Sequence, residues 1–422
     1  MTRNLSSIEG IARAQLCSGC GTCAYLAPRQ YRMVDDVQHG RRPESLIATS
    51  HGDDEQLRSD AVAGCPGAAL AHDFDVSSPE LHADLVAGWG PVRRLWEGHA
   101  VDAALRYSGS SGGAASALAL FALEQRNFGG VLHTAARADA PYRNETVVSR
   151  TRSELLARTG SRYAPASPCD GLHHIEAAEQ PFLFIGKPCD VAGARKASEL
   201  RPDLAAGLGL TIAFFCAGTP STAGTLAMLA AMGVDDPAAV HGLRYRGNGW
   251  PGNATVEFED RAGQARTQSM TYDATWGGIL SSHVQWRCRV CVDHTGEFAD
   301  IAVGDPWYRD IKEGESGSSL ILARTARGKD FVEAAVAAGY LVAADVPDAL
   351  LVASQPNLLR TRGAVWGRLL GSRLVGAGIP RYTRLPTFRF WLSELSLPQK
   401  FVSILGTARR CLKRGLAGFR AH

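Results

Sequence analysis

The sequence predicts an α/β fold on a mixed sheet, preceded by a small cysteine-rich domain and followed by a helical basic extension. Three observations carry that reading. Two short apolar runs, 182–185 (FLFI) and 210–215, each end in a turn bearing a cysteine, Gly186-Lys187-Pro188-Cys189 and Cys216-Ala217-Gly218-Thr219-Pro220, as buried strands do at the carboxyl edge of an open α/β sheet. A Gly/Ser loop, 108–113, leads into an alanine-rich helical stretch, 114–124. A C-x-x-C-x-x-C run near the N-terminus stands apart from both patterns.

The chain has 422 residues, 45% of them hydrophobic, enough for two or three cored domains. Its ten cysteines are too sparse for a disulfide scaffold, so their clustering points to metal. The first fifteen residues have no apolar h-region and no later run reaches the length of a membrane span, so a cytoplasmic protein with available thiolates is expected. A net charge of +3 gives no reason to expect nucleic acid. The charge is unevenly spread: from Pro386 onward seven Lys or Arg face Glu394 alone.

Taken in order, residues 17–23 place Cys17, Cys20 and Cys23 at the spacing that wraps three thiolates around one cubane iron–sulfur cluster. In a bacterial ferredoxin run a fourth cysteine follows four residues on, before a proline, and serves a second cluster. Here those positions are Ala27 and Pro28, so the fourth ligand is expected from Cys65 of Cys65-Pro66, the only Cys-Pro before residue 100. Structural zinc also takes four thiolates but seldom three so closely spaced. Residues 1–85 thus read as a ferredoxin-like 4Fe-4S domain.

Residues 90–107 read as an apolar and basic linker. The loop at 108–113 offers backbone N–H groups at a helix start, suited to a phosphate or to an ordinary cap. Residues 130–133 read as a strand, and Gly160-Ser161-Arg162-Tyr163 as a polar turn presenting a guanidinium and a phenol. Cys189 and Cys216 each follow a strand end; with Cys288 and Cys291 of C-R-V-C they make a second quartet, which by count suits a cluster or zinc. Arg244 and Arg246 lie on a turn, 244–252, feeding a hairpin that begins with 254–259, and suit phosphate or carboxylate. An alternating run, 298–303, reads as a strand delivering Asp305 in a Gly-Asp-Pro-Trp turn. A strand at 320–323 and a helix at 330–339 follow. Residues 396–419 mix Phe401, Ile404, Leu405, Leu412 and Leu416 with cations; packing on the protein itself is favoured over a membrane surface or an acidic partner.

The motifs C-S-G-C-G-T-C, S-G-S-S-G-G, G-S-R-Y, G-K-P-C, F-F-C-A-G-T-P-S, R-Y-R-G-N-G-W-P-G, C-R-V-C and A-D-I-A-V-G-D occur in this order. Across 16–353 the chain resembles the coenzyme F420 hydrogenase/dehydrogenase beta-subunit family, iron–sulfur flavoproteins that include deazaflavin-reducing hydrogenase subunits and 7-hydroxymethyl chlorophyll a reductase. The resemblance implies FAD, a 4Fe-4S cluster in the ferredoxin-like domain and another in the core on Cys189, Cys216, Cys288 and Cys291. It divides the chain into 1–85, the two parts of a flavin-binding catalytic core at 90–180 and 181–355, and a basic helical tail at 356–422. Gly109, Ser110, Ser111, Gly112, Gly113, Ser161, Arg162, Tyr163, Lys187 and Arg246 become the expected cofactor-binding residues. Tyr163, Lys187, His294 and Asp305 are the expected proton-handling groups. The tail resembles a subgroup found beside exopolysaccharide biosynthesis genes.

The expected function is an oxidoreductase moving electrons between 4Fe-4S clusters, FAD and an organic substrate or the deazaflavin, with ferredoxin or the deazaflavin coenzyme as redox partner. The alternatives are an electron-transfer subunit of a larger hydrogenase or dehydrogenase, a ferredoxin-dependent reductase acting in polysaccharide biosynthesis, and a zinc-stabilised interaction protein.

Overall fold

The structure is a computed structural model and describes residues 5–46, 52–312 and 314–418. Its centre is an eight-stranded mixed sheet. In chain order the strands are β1 (Arg94–Ala100), β2 (Gly130–Ala136), β3 (Asn144–Ser149), β4 (Phe182–Gly186), β5 (Leu208–Phe214), β6 (Ile301–Gly304), β7 (Ser319–Ala323) and β8 (Leu341–Asp345). Across the sheet they run β8-β1-β7-β6-β5-β4-β2-β3. β2, β4, β5 and β6 are mutually parallel neighbours, and every outer pairing is antiparallel.

Strand alternation sorts the core into two layers. Leu183 and Ile185 of β4 join Leu210, Ile212, Ile301 and Val303 beneath helix α1 (Ala114–Gln125), which is buried almost all round by its alanines, leucines and Phe121. Phe182 and Phe184 face the other way, onto Val191, Ala194 and Ala197 of helix α2 (Pro188–Ser198) and onto Cys20, Tyr25 and Leu26. The cysteine-rich segment therefore packs against the second face of the sheet.

Some sequence expectations shift. The stretch 90–107 is no linker: it holds β1 and a helix, Ala103–Ser108. Both strand partners of β1 lie more than 200 residues on, so no local signal announces it. The run 298–303 becomes a strand only from Ile301, and all four residues of β6 are buried because both faces are covered. The helix at 330–339 begins earlier, at Ala326, where the Thr325 side chain accepts the Gly328 amide.

The basic extension is not a free tail. Arg381–Thr383 pairs in parallel with Ala69–Ala71, and Ala377, Cys411 and Leu416 share a core with Ile8, Ile11, Leu16 and three of the first four cysteines. Helices α3 (Val365–Leu374), α4 (Thr387–Glu394) and α5 (Leu397–Lys413) build the extension. The helix expected at 396–419 does pack on its own protein, but through its small residues. Ser403, Thr407 and Cys411 are buried, a Cβ on Gly371 would stand 2.2 Å from the Ile404 carbonyl, and Phe401, Leu405 and Leu412 point outward. No helix among the described residues is long and apolar enough to cross a membrane.

Candidate functional site

The carboxyl ends of β4, β5 and β6 open onto a cavity of about 300 Å³, at the low end for small-molecule and cofactor sites. Ile185 and Gly186, Phe214 to Cys216, and Val303 to Asp305 form its floor. One wall is the loop before α1. There Gly112 and Gly113 take φ of 68° and 70°, a conformation glycine reaches without strain, and Ala114, Ala115 and Ser116 of the helix start line the space. The helix carries no side-chain cap, so its first N–H groups and its positive end remain for an anionic ligand. Tyr163, Tyr272, Trp276 and Trp307 supply flat apolar surface on another side.

Gly109, Ser110, Ser111, Gly113, Ser161, Arg162, Tyr163, Lys187, Arg246 and Asp305 all line this cavity. Gly112 does not: it is turned toward the backbone of Gly317 and Ser318, which a Cβ would strike. His294 is also absent from the lining. It is buried, its Nδ1 lies 2.8 Å from the Cys216 carbonyl and its Nε2 has no hydrogen-bond partner, so the expectation that it handles a proton for a ligand in the cavity does not match its position.

Several lining side chains are already committed. Arg162 gives its guanidinium to the Pro141, Arg143 and Leu243 carbonyls and to Asn144, so the group expected to be presented to a ligand instead braces the loops around it. Arg246 grips Asp305 with two prongs at 2.9 and 2.7 Å, bonds the Pro251 and Ser110 carbonyls at 2.7 Å, and lies against the Tyr272 and Trp307 rings. Trp250 Nε1 donates to the same carboxylate at 2.8 Å. Lys187 Nζ sits 2.6 Å from Asp190 Oδ2. Burial would lower the Lys187 pKa, but the negative charge of Asp190 and of Cys189 outweighs it and holds the ammonium above its ordinary range.

The cysteines gather in two places. Cys17, Cys20, Cys23 and Cys65 line one small hollow of about 10 Å³. Cys17 Sγ accepts the Gly19 N–H at 3.3 Å, and the backbone amides of Thr22, Ala24, Gly67 and Ala68 act to lower the pKa of Cys20, Cys23 and Cys65 against the effect of burial. A hydrogen bond from Cys169, with another from Thr22, brings the Cys20 thiol down to about 6 against the effect of burial. Burial pushes Cys65 up to about 12.

The second set comes from three loops. Burial and the charge of Cys288 push Cys216 up to about 12; burial lifts Cys291 to about 11 even with Arg287 beside it; burial, Asp190, Cys216 and Cys291 all raise Cys189. These mutual influences put the four thiols in one neighbourhood, and Cys216 also lines the cavity. Among the described residues no three His, Cys, Asp or Glu side chains converge on a point that one ion could occupy. A single tetrahedral zinc would hold its thiolates about 4 Å apart, whereas a cubane presents its irons at separate corners.

Trp286 and Arg287 lie between the two sets. Trp286 is buried with Cys17, Cys23 and Cys65, while Arg287 donates to the Pro66 carbonyl at 2.9 Å and to Tyr382 at 2.8 Å and feels the charge of both Cys291 and Cys189. Trp286 Nε1 and Arg287 Nε are buried with no hydrogen-bond partner. Unpaired donors beside sulfur are costly unless an acceptor fills the space, and cluster sulfides are such acceptors. Neither residue stood out in the sequence, although both adjoin Cys288; nor did Cys169, Tyr272 or Trp250.

Two family models match the chain, both describing the beta subunit of coenzyme F420 hydrogenase/dehydrogenase: the model of its N-terminal part matches residues 95–172, and the model of its C-terminal part matches residues 180–349. A solved structure, a xenon-derivatised F420-reducing [NiFe] hydrogenase complex from Methanosarcina barkeri, contains a chain similar in fold, with TM-score 0.51 and 22% identity, over 69% of this chain and 94% of that one. No curated protein matches.

Proposed function

Because the chain belongs to the coenzyme F420 hydrogenase/dehydrogenase beta-subunit family, we propose that it is an iron–sulfur flavoenzyme moving electrons between two 4Fe-4S clusters, FAD and an organic substrate or the deazaflavin coenzyme. The observation that carries this reading is the pair of thiol quartets, one of them opening through Cys216 onto the cavity at the strand ends. Bound there, the clusters would supply electrons singly and the flavin would pair them into a hydride equivalent.

The residues divide the remaining work. The turn 109–113 and the start of α1 hold a phosphate by backbone N–H. Tyr163, Tyr272 and Trp307 offer faces to a planar ring system. Lys187 holds a proton at Nζ beside Asp190, and Tyr163 and Asp305 are the other cavity groups able to accept or donate one. Arg246 fixes the orientation of the Asp305 carboxylate. Backbone N–H groups around the first quartet stabilise thiolate charge. We read the compartment as a reducing cytoplasm, in keeping with ten free cysteines.

Anaerobic purification tests this directly. About eight irons and eight sulfides per chain, with one flavin and oxidation of the reduced deazaflavin coupled to an artificial acceptor, are expected. A colourless protein holding zinc and no iron would sink the proposal. A second reading, an electron-transfer subunit of a larger assembly, draws on the beta-subunit family itself; it predicts the same cofactors with turnover only when a partner subunit is added.

A further inference from the structure

The outer surface of the C-terminal helices is inverted relative to an ordinary amphipathic packing. α5 turns Ser403, Thr407 and Cys411 inward and leaves Leu397, Phe401, Leu405 and Leu412 outside, each roughly 60–70% exposed. Spaced i, i+4, i+8 and i+15, these four form one stripe along a helix of 17 residues. The inversion has a structural cause. Gly367 and Gly371 of α3 bring the two backbones so close that a Cβ on either would collide with α5, and only small side chains fit between them. Large apolar groups are thereby forced to the solvent side. Phe388 and Leu392 of α4 are exposed as well.

The charge around the stripe has one sign. Between residues 386 and 418, which hold α4 and α5, the chain has six Lys or Arg and a single acid, Glu394. Arg409 and Lys413 lie beside the stripe on the α5 wheel, and Arg389, Arg410 and Arg414 are exposed nearby. Arg410 and Arg414 crowd Arg289, and Arg410 and Arg289 crowd Arg368, whose pKa burial and these neighbours bring down to about 10.

We propose that α5, with α4 beside it, is an interfacial docking surface for an anionic lipid bilayer, lying in the headgroup plane with Phe401, Leu405 and Leu412 inserted and the cations on the lipid phosphates. Charge complementarity selects this occupant. A second copy of the chain would bring cation against cation with only Glu394 to offset them. The stripe is made of exposed, projecting side chains, which suits insertion among acyl chains. The surface is separate from the cavity, so this inference stands or falls independently of the redox chemistry.

Flotation of the full chain with vesicles tests it. The chain is expected to float with vesicles of phosphatidylcholine and phosphatidylglycerol, to float weakly with phosphatidylcholine alone, and to be released from the mixed vesicles by high salt. Phe401→Glu with Leu405→Glu should weaken binding by at least ~10-fold while leaving the circular dichroism spectrum and thermal midpoint unchanged, because both side chains are exposed. Arg409→Glu with Lys413→Glu should weaken binding to the mixed vesicles only. No flotation of the parent chain, or equal flotation of the Phe401/Leu405 variant, overturns the proposal. So does self-association that the same variant abolishes without any vesicle binding, which would make the face an interface between copies. Binding to poly-glutamate but not to vesicles would assign it to an acidic protein instead.

Discussion

Arg246 spends its whole guanidinium on fixed partners: Asp305, two carbonyls, the Tyr163 hydroxyl and two aromatic faces. A lysine carries the same charge but cannot form the two-pronged pair or stack as a plane. Arg246→Lys is therefore expected to lower stability by about 2–4 kcal/mol, read from urea midpoints, and to loosen ligand binding in the cavity. Arg287 acts by charge. Under the proposed function, adding an electron to a cluster beside this buried cation is favoured, so Arg287→Met should shift the cluster midpoint potentials downward, on the order of tens of millivolts, in an anaerobic redox titration; an upward shift would contradict the position inferred for it. His133 lines the cavity, with its Nε2 2.8 Å from the Ser149 hydroxyl, and burial lowers its pKa to about 4. The unfolded chain takes up that proton near 6.5 and the folded one only near 4. Stability from the neutral ring is thus complete above 6.5 and is lost as pH falls toward 4, by up to about 3 kcal/mol. His133→Gln should flatten the denaturation-midpoint profile across that window.

At the scale of elements, the site depends on three parallel strands ending together and on glycines that let the chain pass close by. Gly304 ends β6 one residue before Asp305, and a Cβ there would sit 2.2 Å from the Phe215 ring. Gly304→Val should push Asp305 or Phe215 out of register, costing about 1–3 kcal/mol and, under the proposed function, reducing flavin retention measured by absorbance. Gly371 plays the corresponding part between α3 and α5. Gly371→Leu should part the helices, seen as faster protease cleavage within the extension while fragments from the sheet persist. These expectations follow from close contacts in a densely packed interior, where backbone cannot move aside as a flexible side-chain tip can.

The N-terminal segment and the C-terminal extension pack together. Strand pairing joins residues 69–71 to 381–383, and the core that holds Cys17, Cys23 and Cys65 also holds Cys411 and Leu416. Anything that empties the first thiol quartet should therefore loosen both the N-terminal segment and the extension. Under the proposed function, anaerobic iron chelation should lower the thermal midpoint and expose both ends to protease together, since bound metal contributes to folding stability. Cys65→Ser should reproduce that pattern and leave about half of the iron, on the core set.

By itself the sequence determined what short-range chemistry decides: the C-x-x-C-x-x-C spacing, the buried runs of β4 and β5, the glycine turn before α1 and the motif order that marks the family. These depend on neighbours a few residues away and can be read in line. Only the tertiary structure decided that β1 is a strand, that Cys189, Cys216, Cys288 and Cys291 lie together, that His294 stays outside the cavity, that Arg162 is already spent, and that α5 carries its large apolar side chains outward. Each of those outcomes depends on a partner surface far away in the chain. A sequence pattern states which faces an element has, while the shape of what packs against it determines which face is buried.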